Sequence, residues 1–327
     1  MRAWRVHELG EPGKVLQQED VADPRPGPGQ LLVRVRAAAA NFPDVLLCRG
    51  QYQVRPPLPF TPGIEVCGEV VEVGDGADGF AVGDRVIGSP DLPTGAFGEL
   101  TVMTAARTFT APPSLDDAEA SAFYIGYQTG WFGLHRRARL QAEETLLVHA
   151  AAGGVGSAAV QLGKAAGARV IGVVGGPEKA EVARRLGADV VVDRNAEDFV
   201  AVVKEATDGR GADVVYDPVG GDAYARSTKC IAFEGRILVI GFASGEVPSP
   251  GLNHALIKNY SILGLHWGLY NDKDPDAIRR CHEDLTALAE RGVAKPLVSE
   301  RLATDQVPDG VQRLADGRTV GRVVFES

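Results

Sequence analysis

The sequence predicts an α/β protein in which a doubly wound parallel sheet is inserted in a β-rich domain that forms a partly open barrel. Three observations support this fold class. Residues 1 to about 120 contain short strand-like runs broken by glycine and proline. Apolar strands then alternate with amphipathic helices, and a β-branched strand closes the chain. Alternating strands and helices form βαβ units, whose parallel sheet is covered by helices on both faces.

The first segment is built from short strands between turns. Residues 31–36 and 69–73 read as strands, and residues 82–88 read as a turn that leads into a strand. A proline-rich loop at 56–62 and a turn at 74–76 separate these elements. Short strands separated by glycine turns and proline-rich loops favour a partly open barrel over a parallel sheet.

From about residue 120 the pattern changes to apolar strands with helices between them. The expected strands are 146–148, 170–174, 190–192, 214–216, 237–240 and 261–265, and the expected helices are 154–166, 178–186, 198–207 and one past Asp222. A further helix is predicted at 275–290, and the final strand at 321–325 is expected to return to the first domain. The predicted domains are therefore 1–121, 122–266 and 267–327, the last belonging with the first.

Composition excludes several classes of protein. The net charge of −9 leaves no basic surplus to neutralise phosphates, which argues against a nucleic-acid partner. The apolar stretch 145–163 contains His149, Gln161 and several glycines, so we expect a buried strand–turn–helix and no membrane span. The four cysteines form no CxxC pair, and no apolar leader follows Met1. These features predict a reduced, cytoplasmic protein.

The run His149-Ala150-Ala151-Ala152-Gly153-Gly154-Val155-Gly156-Ser157 lies between a predicted strand and a predicted helix. Glycines at 153 and 154 allow a tight turn and close approach of a diphosphate, and Gly156 lets the helix pack on the strand. The N–H groups of residues 152–155 and the helix dipole favour an anion there. The alternative is a tight turn without a ligand. The five further βα alternations favour a Rossmann dinucleotide site.

The next strand end favours NADPH over NADH. An NAD site needs an acidic residue at that strand end to accept a hydrogen bond from the ribose, whereas this chain has Val174-Gly175-Gly176-Pro177-Glu178-Lys179. Glu178 lies past the proline, where acids commonly serve the helix dipole. Gly175 leaves room for the cofactor, and Lys179 and Arg194 could meet a 2′-phosphate. The alternative for Lys179 is a solvated helix lysine.

Several motifs, spread over nearly the whole chain, resemble those of one family. They are Asn41-Phe42-Pro43-Asp44, Arg49-Gly50-Gln51-Tyr52, Pro62-Gly63-Ile64-Glu65, Val82-Gly83-Asp84-Arg85-Val86, Ala150 to Gly156, Val160-Gln161-Leu162, Asp217-Pro218-Val219-Gly220-Gly221 and Gly321-Arg322-Val323-Val324. Together they resemble the medium-chain dehydrogenase/reductases, and among these the zinc-independent, zeta-crystallin-like quinone oxidoreductases. The resemblance implies that the β-rich domain is GroES-like.

Many members of this family are zinc alcohol dehydrogenases, but their ligands have no counterpart here. The resemblance places their catalytic cysteine near Ala39 to Asn41 and their Gly-His-Glu at Gly63-Ile64-Glu65. Zinc requires three or four converging N, S or O ligands, and isoleucine and alanine supply none. We therefore expect no metal. Without a Lewis acid, the expected reaction is hydride transfer from NADPH to a quinone or another activated carbonyl.

The resemblance also implies residue roles. Asn41, Asp44 and Tyr52 would lie near the nicotinamide, with Tyr52 as a hydrogen-bond donor to the substrate oxygen; the alternatives are an Asx-type turn and a packed loop tyrosine. The further residues expected to contact the cofactor are Tyr127, Thr129, Val219, Gly241, Phe242, His266, Trp267 and Arg322. For Tyr127 and Trp267 the alternative is core packing. A tyrosine common in the family is replaced by Leu46, which leaves substrate preference open.

Three functions compete at this point. The first is NADPH-dependent quinone reduction, and a close rival is reduction of an enoyl, enone or haloacrylate-type C=C bond. The third is a non-catalytic, crystallin-like NADPH-binding protein, which the intact glycine turn disfavours. The apolar strand 261–265 resembles the family's dimer edge, so a homodimer is expected.

Overall fold

Fifteen strands and twelve α-helices are distributed along the computed structural model, which describes residues 1–327. The first part contains β1 (Arg2–Val6), α1 (Pro12–Val15), β2 (Leu16–Asp20), β3 (Gln30–Ala39), α2 (Phe42–Cys48), β4 (Val66–Val73), β5 (Arg85–Gly88), β6 (Leu100–Thr104), β7 (Thr108–Thr110) and α3 (Asp117–Ser121). The middle part contains α4 (Tyr124–Trp131), β8 (Thr145–His149), α5 (Gly154–Ala165), β9 (Arg169–Val174), α6 (Pro177–Arg185), β10 (Val190–Asp193), α7 (Phe199–Ala206), β11 (Ala212–Asp217), α8 (Gly221–Ser227), β12 (Ile231–Val239), α9 (Leu252–Lys258), β13 (Ser261–Gly264), α10 (Tyr270–Lys273) and α11 (Pro275–Glu290). The last part contains β14 (Val298–Ala303), α12 (Val307–Ala315) and β15 (Arg322–Glu326).

The first of two units, here called the β-rich unit, comprises Met1–Ile125 and Lys295–Ser327. Its seven-stranded sheet has the order β14-β15-β3-β4-β5-β7, with β6 paired to β3. Along β3, Val33 and Val35 are buried while Arg34 and Arg36 are exposed, because successive side chains of a strand point to opposite faces. The final strand β15 pairs with β3, so the C-terminal strand returns to this unit.

The second unit, here called the parallel-sheet unit, comprises Gly126–Ala294. Its six strands are all parallel, in the order β10-β9-β8-β11-β12-β13. Every residue of β8 is buried, as expected for a strand covered on both faces. The strand order reverses between β8 and β11, which confirms the predicted doubly wound fold.

The division between the units differs from the sequence-based boundaries by four residues at the first boundary, which falls after Ile125, and by a longer segment at the second. Residues 267–294 lie in the parallel-sheet unit, whereas the sequence placed them with the β-rich domain. Helix α11 buries Ile278, Cys281 and Leu285 on one face. The preceding helix α10 is fixed by ring contact of Tyr270 with Phe132, at 4.2 Å between centroids. This apolar packing places the segment with the parallel sheet.

None of the helices combines the length and the apolar composition that crossing a bilayer requires.

Candidate cofactor and substrate site

The carboxyl ends of the six parallel strands bring most of the predicted cofactor residues to one edge of the sheet. Ala152 to Val155 follow β8, Gly175 follows β9, Arg194 follows β10, Val219 follows β11, Gly241 and Phe242 follow β12, and His266 and Trp267 follow β13. Ligands of open parallel sheets bind at this edge, beside the reversal of strand order. Residues up to 115 positions apart in the sequence therefore share one side of the parallel-sheet unit.

The glycine turn has the backbone geometry of an anion site. The Gly153 N–H donates to the Ala150 carbonyl at 2.8 Å, and no side chain caps helix α5. The N–H groups of the first helical turn are therefore open to an anionic ligand. A Cβ at Gly156 would lie 2.1 Å from the Ala150 oxygen, so only glycine fits there. Ala150 has φ +50°, a left-handed conformation at the position where the usual fingerprint has glycine.

Two cations lie beside the turn that follows β9. The Arg194 guanidinium covers Gly175, since a Cβ added to that glycine would be 3.2 Å from Arg194 Nε. Burial lowers the pKa of Lys179, and the nearby charge of Arg194 lowers it further. Asp193 accepts from the Gly176 N–H at 2.8 Å, which fixes the turn. Two like charges held together at this edge favour a ligand with more than one negative charge.

The loop after β11 is shaped by Asp217, a residue that the sequence analysis did not single out as a site residue. Its Oδ1 accepts from the N–H groups of Val219 at 2.8 Å and Gly220 at 3.0 Å. This arrangement turns the backbone sharply where the strand ends. The signal in the sequence is the run Asp217-Pro218-Val219-Gly220-Gly221, in which a proline and two glycines follow the aspartate.

Asn41 has all its amide groups engaged within the β-rich unit. Its Nδ2 donates to the Ala39 carbonyl at 3.1 Å and to Glu65 Oε2 at 2.9 Å, while its Oδ1 accepts from Arg322 at 3.0 Å. A carboxamide has two donor hydrogens, and both are used. The side chain predicted to act near the nicotinamide is therefore held as a structural link.

Glu65 and Arg322 form a buried ion pair around that link. Both are almost fully excluded from solvent, and Arg322 Nη2 donates to Glu65 Oε2. The other carboxylate oxygen of Glu65 accepts from the Ile125 N–H at 2.7 Å, at the start of α4. Arg322, expected to contact the cofactor, thus places one guanidinium nitrogen on Glu65 and Asn41.

Asp44 is completely buried and accepts three backbone hydrogen bonds. Its donors are the N–H groups of Asn41 at 2.8 Å, Gly63 at 2.9 Å and Ile64 at 3.2 Å. Burial raises the pKa of Asp44 to about 7, although the three N–H groups act in the opposite direction. The carboxyl caps helix α2 and ties it to the loop that carries Glu65. The contact with Asn41 is a capping box, in which the carboxylate of the third helical residue accepts from the N–H of the N-cap residue.

Tyr52 differs from these residues because its hydroxyl makes no hydrogen bond within the chain. The ring packs against the core of the β-rich unit and remains partly exposed. Burial raises the pKa of the phenol, and the nearby Asp44 raises it further. The hydroxyl is consequently protonated at neutral pH and able to donate.

Helix α4 carries three neighbouring polar side chains, all buried. Tyr127 donates its hydroxyl to Gln161 Oε1 at 3.0 Å, so its ring belongs to the core. Thr129 is 8% exposed. Gln128, which sequence reasoning missed, accepts from Trp267 Nε1 at 3.0 Å, and its own Nε2 has no acceptor in the chain. No regular pattern in the sequence marks a contact between residues 139 positions apart.

The side chains do not assemble a metal centre at the positions that the zinc relatives use. No three His, Cys, Asp or Glu side chains lie close enough together to hold an ion. The four cysteines are buried and unpaired with one another. Glu65, the one potential ligand at Gly63-Ile64-Glu65, is already bound to Arg322.

Comparison with known proteins agrees with this architecture. Residues 27–113 match the alcohol dehydrogenase GroES-like domain, and residues 154–283 match the zinc-binding dehydrogenase domain. The chain is 38% identical to a quinone oxidoreductase-like protein 2 homolog of Nematostella vectensis, over 100% of this chain and 89% of that protein. It is 36% identical to a quinone oxidoreductase of Pseudomonas aeruginosa, over 95% of each.

Solved structures also show similarity to quinone oxidoreductases. The quinone oxidoreductase of Escherichia coli, crystallised in complex with NADPH, superposes with a TM-score of 0.93 at 30% identity and covers 100% of both chains. The match extends over both units, including the glycine turn and the C-terminal strand. The chain therefore belongs to the medium-chain dehydrogenase/reductase superfamily, in the branch of the quinone oxidoreductases.

Proposed function

We propose that this protein is an NADPH-dependent oxidoreductase that transfers hydride directly to a quinone or a similar activated carbonyl, without zinc. The cofactor assignment depends above all on the Lys179–Arg194 pair beside the turn at Gly175. NADPH differs from NADH by a 2′-phosphate, and two adjacent cations at the end of β9 supply the charge that this group requires. The NADPH complex of the E. coli relative supports the same assignment.

The cofactor's diphosphate would be held by the N-terminus of α5, whose first N–H groups have no capping side chain. When bound, the reduced nicotinamide supplies the hydride, which is the chemistry that the protein lacks on its own. The chain's task is then to orient the two reactants, to exclude water and to stabilise charge on the acceptor oxygen.

Tyr52 is the residue we assign to the acceptor oxygen. Its hydroxyl has no partner in the chain, and its raised pKa keeps it protonated while the oxygen gains negative charge. Asn41 and Asp44 act differently, because their polar groups are occupied by the chain itself. We assign both to positioning the α2 segment and the 63–65 loop.

The surroundings of Glu65 support the proposed metal independence. Its carboxylate is neutralised by the buried Arg322 guanidinium, which would repel a second cation. Ile64 offers no ligand atom beside it. An enzyme without a Lewis acid is suited to acceptors that are already electrophilic, such as quinones.

We also propose a homodimer formed through the β13 edge. Strand β13 ends the parallel sheet and pairs only with β12. Helix α9, next to it in sequence, exposes Leu252, Leu256 and Ile257 by 76, 77 and 72%. Exposed apolar side chains on the helix that leads into an open strand edge are suited to association with a second copy.

The decisive experiment is to follow NADPH and NADH oxidation with a panel of quinones, enones and enoyl thioesters, before and after dialysis against a chelator. We expect turnover of quinones with NADPH, weaker activity with NADH and no loss after dialysis. Activity confined to the C=C substrates would replace the proposal by C=C reduction. Tight NADPH binding without any turnover would indicate a binding protein, and loss of activity on chelation would refute metal independence.

A further inference from the structure

Three large apolar side chains of the β-rich unit are exposed in and beside the segment that carries Tyr52. Leu9 is 55% exposed, Val54 50% and Leu58 46%. The unit exposes one other large apolar side chain to this degree, that of Val82 between β4 and β5. Single exposed apolar residues are common, but several of them beside a group available to a ligand indicate a binding surface.

Backbone hydrogen bonds hold the residues that follow β1 alongside the Tyr52 segment. The Gly10 N–H donates to the Cys48 carbonyl at 2.8 Å, at the end of α2. Further along, Val6 and Phe60 exchange two backbone hydrogen bonds, of 2.8 and 3.2 Å. The two segments are therefore tied together at both ends of the stretch that separates α2 from Phe60.

The three apolar side chains lie within these ties. A Cβ added to Gly50 would be 2.5 Å from Leu9 Cδ1, so the Leu9 side chain lies against the chain two residues before Tyr52. Val54 follows Tyr52 by two residues, which limits the distance between their Cα atoms to about 7.6 Å. Leu58 precedes the second tie by two residues. Apolar side chains thus lie on both sides of Tyr52, whose hydroxyl is available to the acceptor.

The apolar side chains do not form a broad face. Gln51, Gln53 and Arg55 are exposed and alternate with Tyr52 and Val54 along the segment. The core of an interface between proteins is depleted of charged residues. A narrow apolar strip interrupted by polar side chains is suited to a slender hydrocarbon chain and poorly suited to a protein partner.

We propose that the acceptor carries an alkyl side chain, and that Leu9, Val54 and Leu58 bind this chain while Tyr52 donates to the carbonyl oxygen. The inference rests on the proposed function. In an alkylated quinone the side chain is attached next to a carbonyl carbon, so the two groups can meet neighbouring parts of one segment. The substrate class is therefore a quinone or enone with an apolar substituent, and neither a bare nor a strongly polar ring.

The test measures kcat/KM with NADPH for methyl-, propyl- and pentyl-substituted para-benzoquinones. All three carry one alkyl group, so the electronic effect on the ring is nearly constant and only the buried hydrocarbon grows. For wild type, kcat/KM should rise by about two- to fourfold for each added methylene that the protein buries. The pentyl-to-methyl ratio of kcat/KM is the readout, because it does not depend on the amount of active enzyme.

Three single substitutions at exposed positions locate the chain. Leu9→Ser, Val54→Ser and Leu58→Ser should each lower the pentyl-to-methyl ratio, because each removes apolar surface from the strip. Val82→Ser changes an apolar side chain that is 67% exposed on another loop of the same unit, and it should keep the wild-type ratio.

A wild-type ratio near unity would overturn the inference and leave the proposed function intact. A high ratio that none of the three substitutions lowers would also overturn it, because the alkyl chain would then bind elsewhere. If none of the quinones were reduced with NADPH, the proposed function would fall and the inference with it.

Discussion

Asn41, Asp44 and Tyr52 are close in the sequence and were all predicted to lie near the nicotinamide, but their side chains make different contacts. The polar groups of Asn41 and Asp44 hydrogen-bond to the backbone and to buried side chains, whereas the Tyr52 hydroxyl has no hydrogen-bond partner in the chain. The contrast follows from hydrogen-bond satisfaction, because a buried amide or carboxyl is costly unless it is paired. Among these three, the residue left with an unused donor is the one available to a substrate.

Lys179→Ala should weaken NADPH binding much more than NADH binding. The change removes a charge-assisted contact to the 2′-phosphate, worth about 1.5–3 kcal/mol, that NADH cannot make. Titration of both cofactors against wild type and variant measures the difference. Lys229→Ala, an exposed lysine after α8, is the matched control and should alter neither constant. Equal losses for the two cofactors would refute the assignment.

Asp44→Asn should change how stability depends on pH. The folded-state pKa of Asp44 is about 7, above its ordinary 3.8, so the folded state holds this proton more firmly than the unfolded state. The contribution of Asp44 is therefore present at low pH and lost as pH rises from about 4 to about 7. The variant has no carboxyl to titrate at this position, so its stability lacks this pH dependence. Its amide nitrogen would face backbone N–H donors instead of an acceptor, which should lower the stability by about 1–3 kcal/mol at low pH.

Urea unfolding of both proteins at about pH 5 and about pH 8 tests this expectation. The advantage of wild type should shrink as the pH rises. Other carboxyls contribute equally to both proteins and cancel in the difference. Parallel stability curves would mean that Asp44 stays ionised throughout.

At the scale of elements, the contact between β8 and α5 depends on Gly156. A Cβ there would lie 2.1 Å from a backbone oxygen that cannot move freely. Gly156→Ala should lower the free energy of unfolding by about 1–3 kcal/mol or more, as overpacking does. Gly13→Ala, in α1, where the added carbon would lie 3.4 Å from Gln312, an ordinary van der Waals distance, is the control. Denaturant unfolding that ranks the two equally would contradict the steric argument.

The parallel sheet could be read from the sequence because its strands are continuous apolar runs between amphipathic helices. Helix α11 was predicted at its observed bounds, 275–290. Strand β14 was missed, since its side chains alternate between half-buried and exposed without a fully buried face. Helix α12 was missed because Pro308 and Gly310 suggest a turn; Gly310 is needed there, as a Cβ would lie 2.7 Å from the Phe325 ring.

The site residues also divide into those that could be predicted from the sequence and those that could not. The glycine turn, Lys179 and Arg194 follow strand ends, so their common edge can be deduced from the order of elements. The Glu65–Arg322 pair joins residues 257 positions apart, and Gln128 meets Trp267 across 139 positions. Such contacts depend on how the chain packs and leave no periodic trace in the sequence.

At the scale of the whole molecule, Leu256→Glu should weaken the proposed dimer. The residue is 77% exposed on α9, and burying a leucine at an interface is worth about 1.5–3 kcal/mol. Light scattering at several concentrations should give a dimer mass for wild type and a lower mass for the variant. Val82→Glu, an exposed apolar residue of the β-rich unit, is the control. A monomeric wild type would dispose of the dimer.

The buried pairing of Glu65 with Arg322 also bears on how readily this scaffold could acquire a metal during evolution. Exchanging Ile64 for histidine would add a ligand beside a carboxylate that a guanidinium already occupies. Losing Arg322 first would leave the negative charge of Glu65 buried without a partner, which should lower the stability by about 3–5 kcal/mol. A zinc site at this place would therefore require changes at both position 64 and position 322. The ion pair is therefore a structural obstacle to a metal at this place, in keeping with the metal-independent function proposed above.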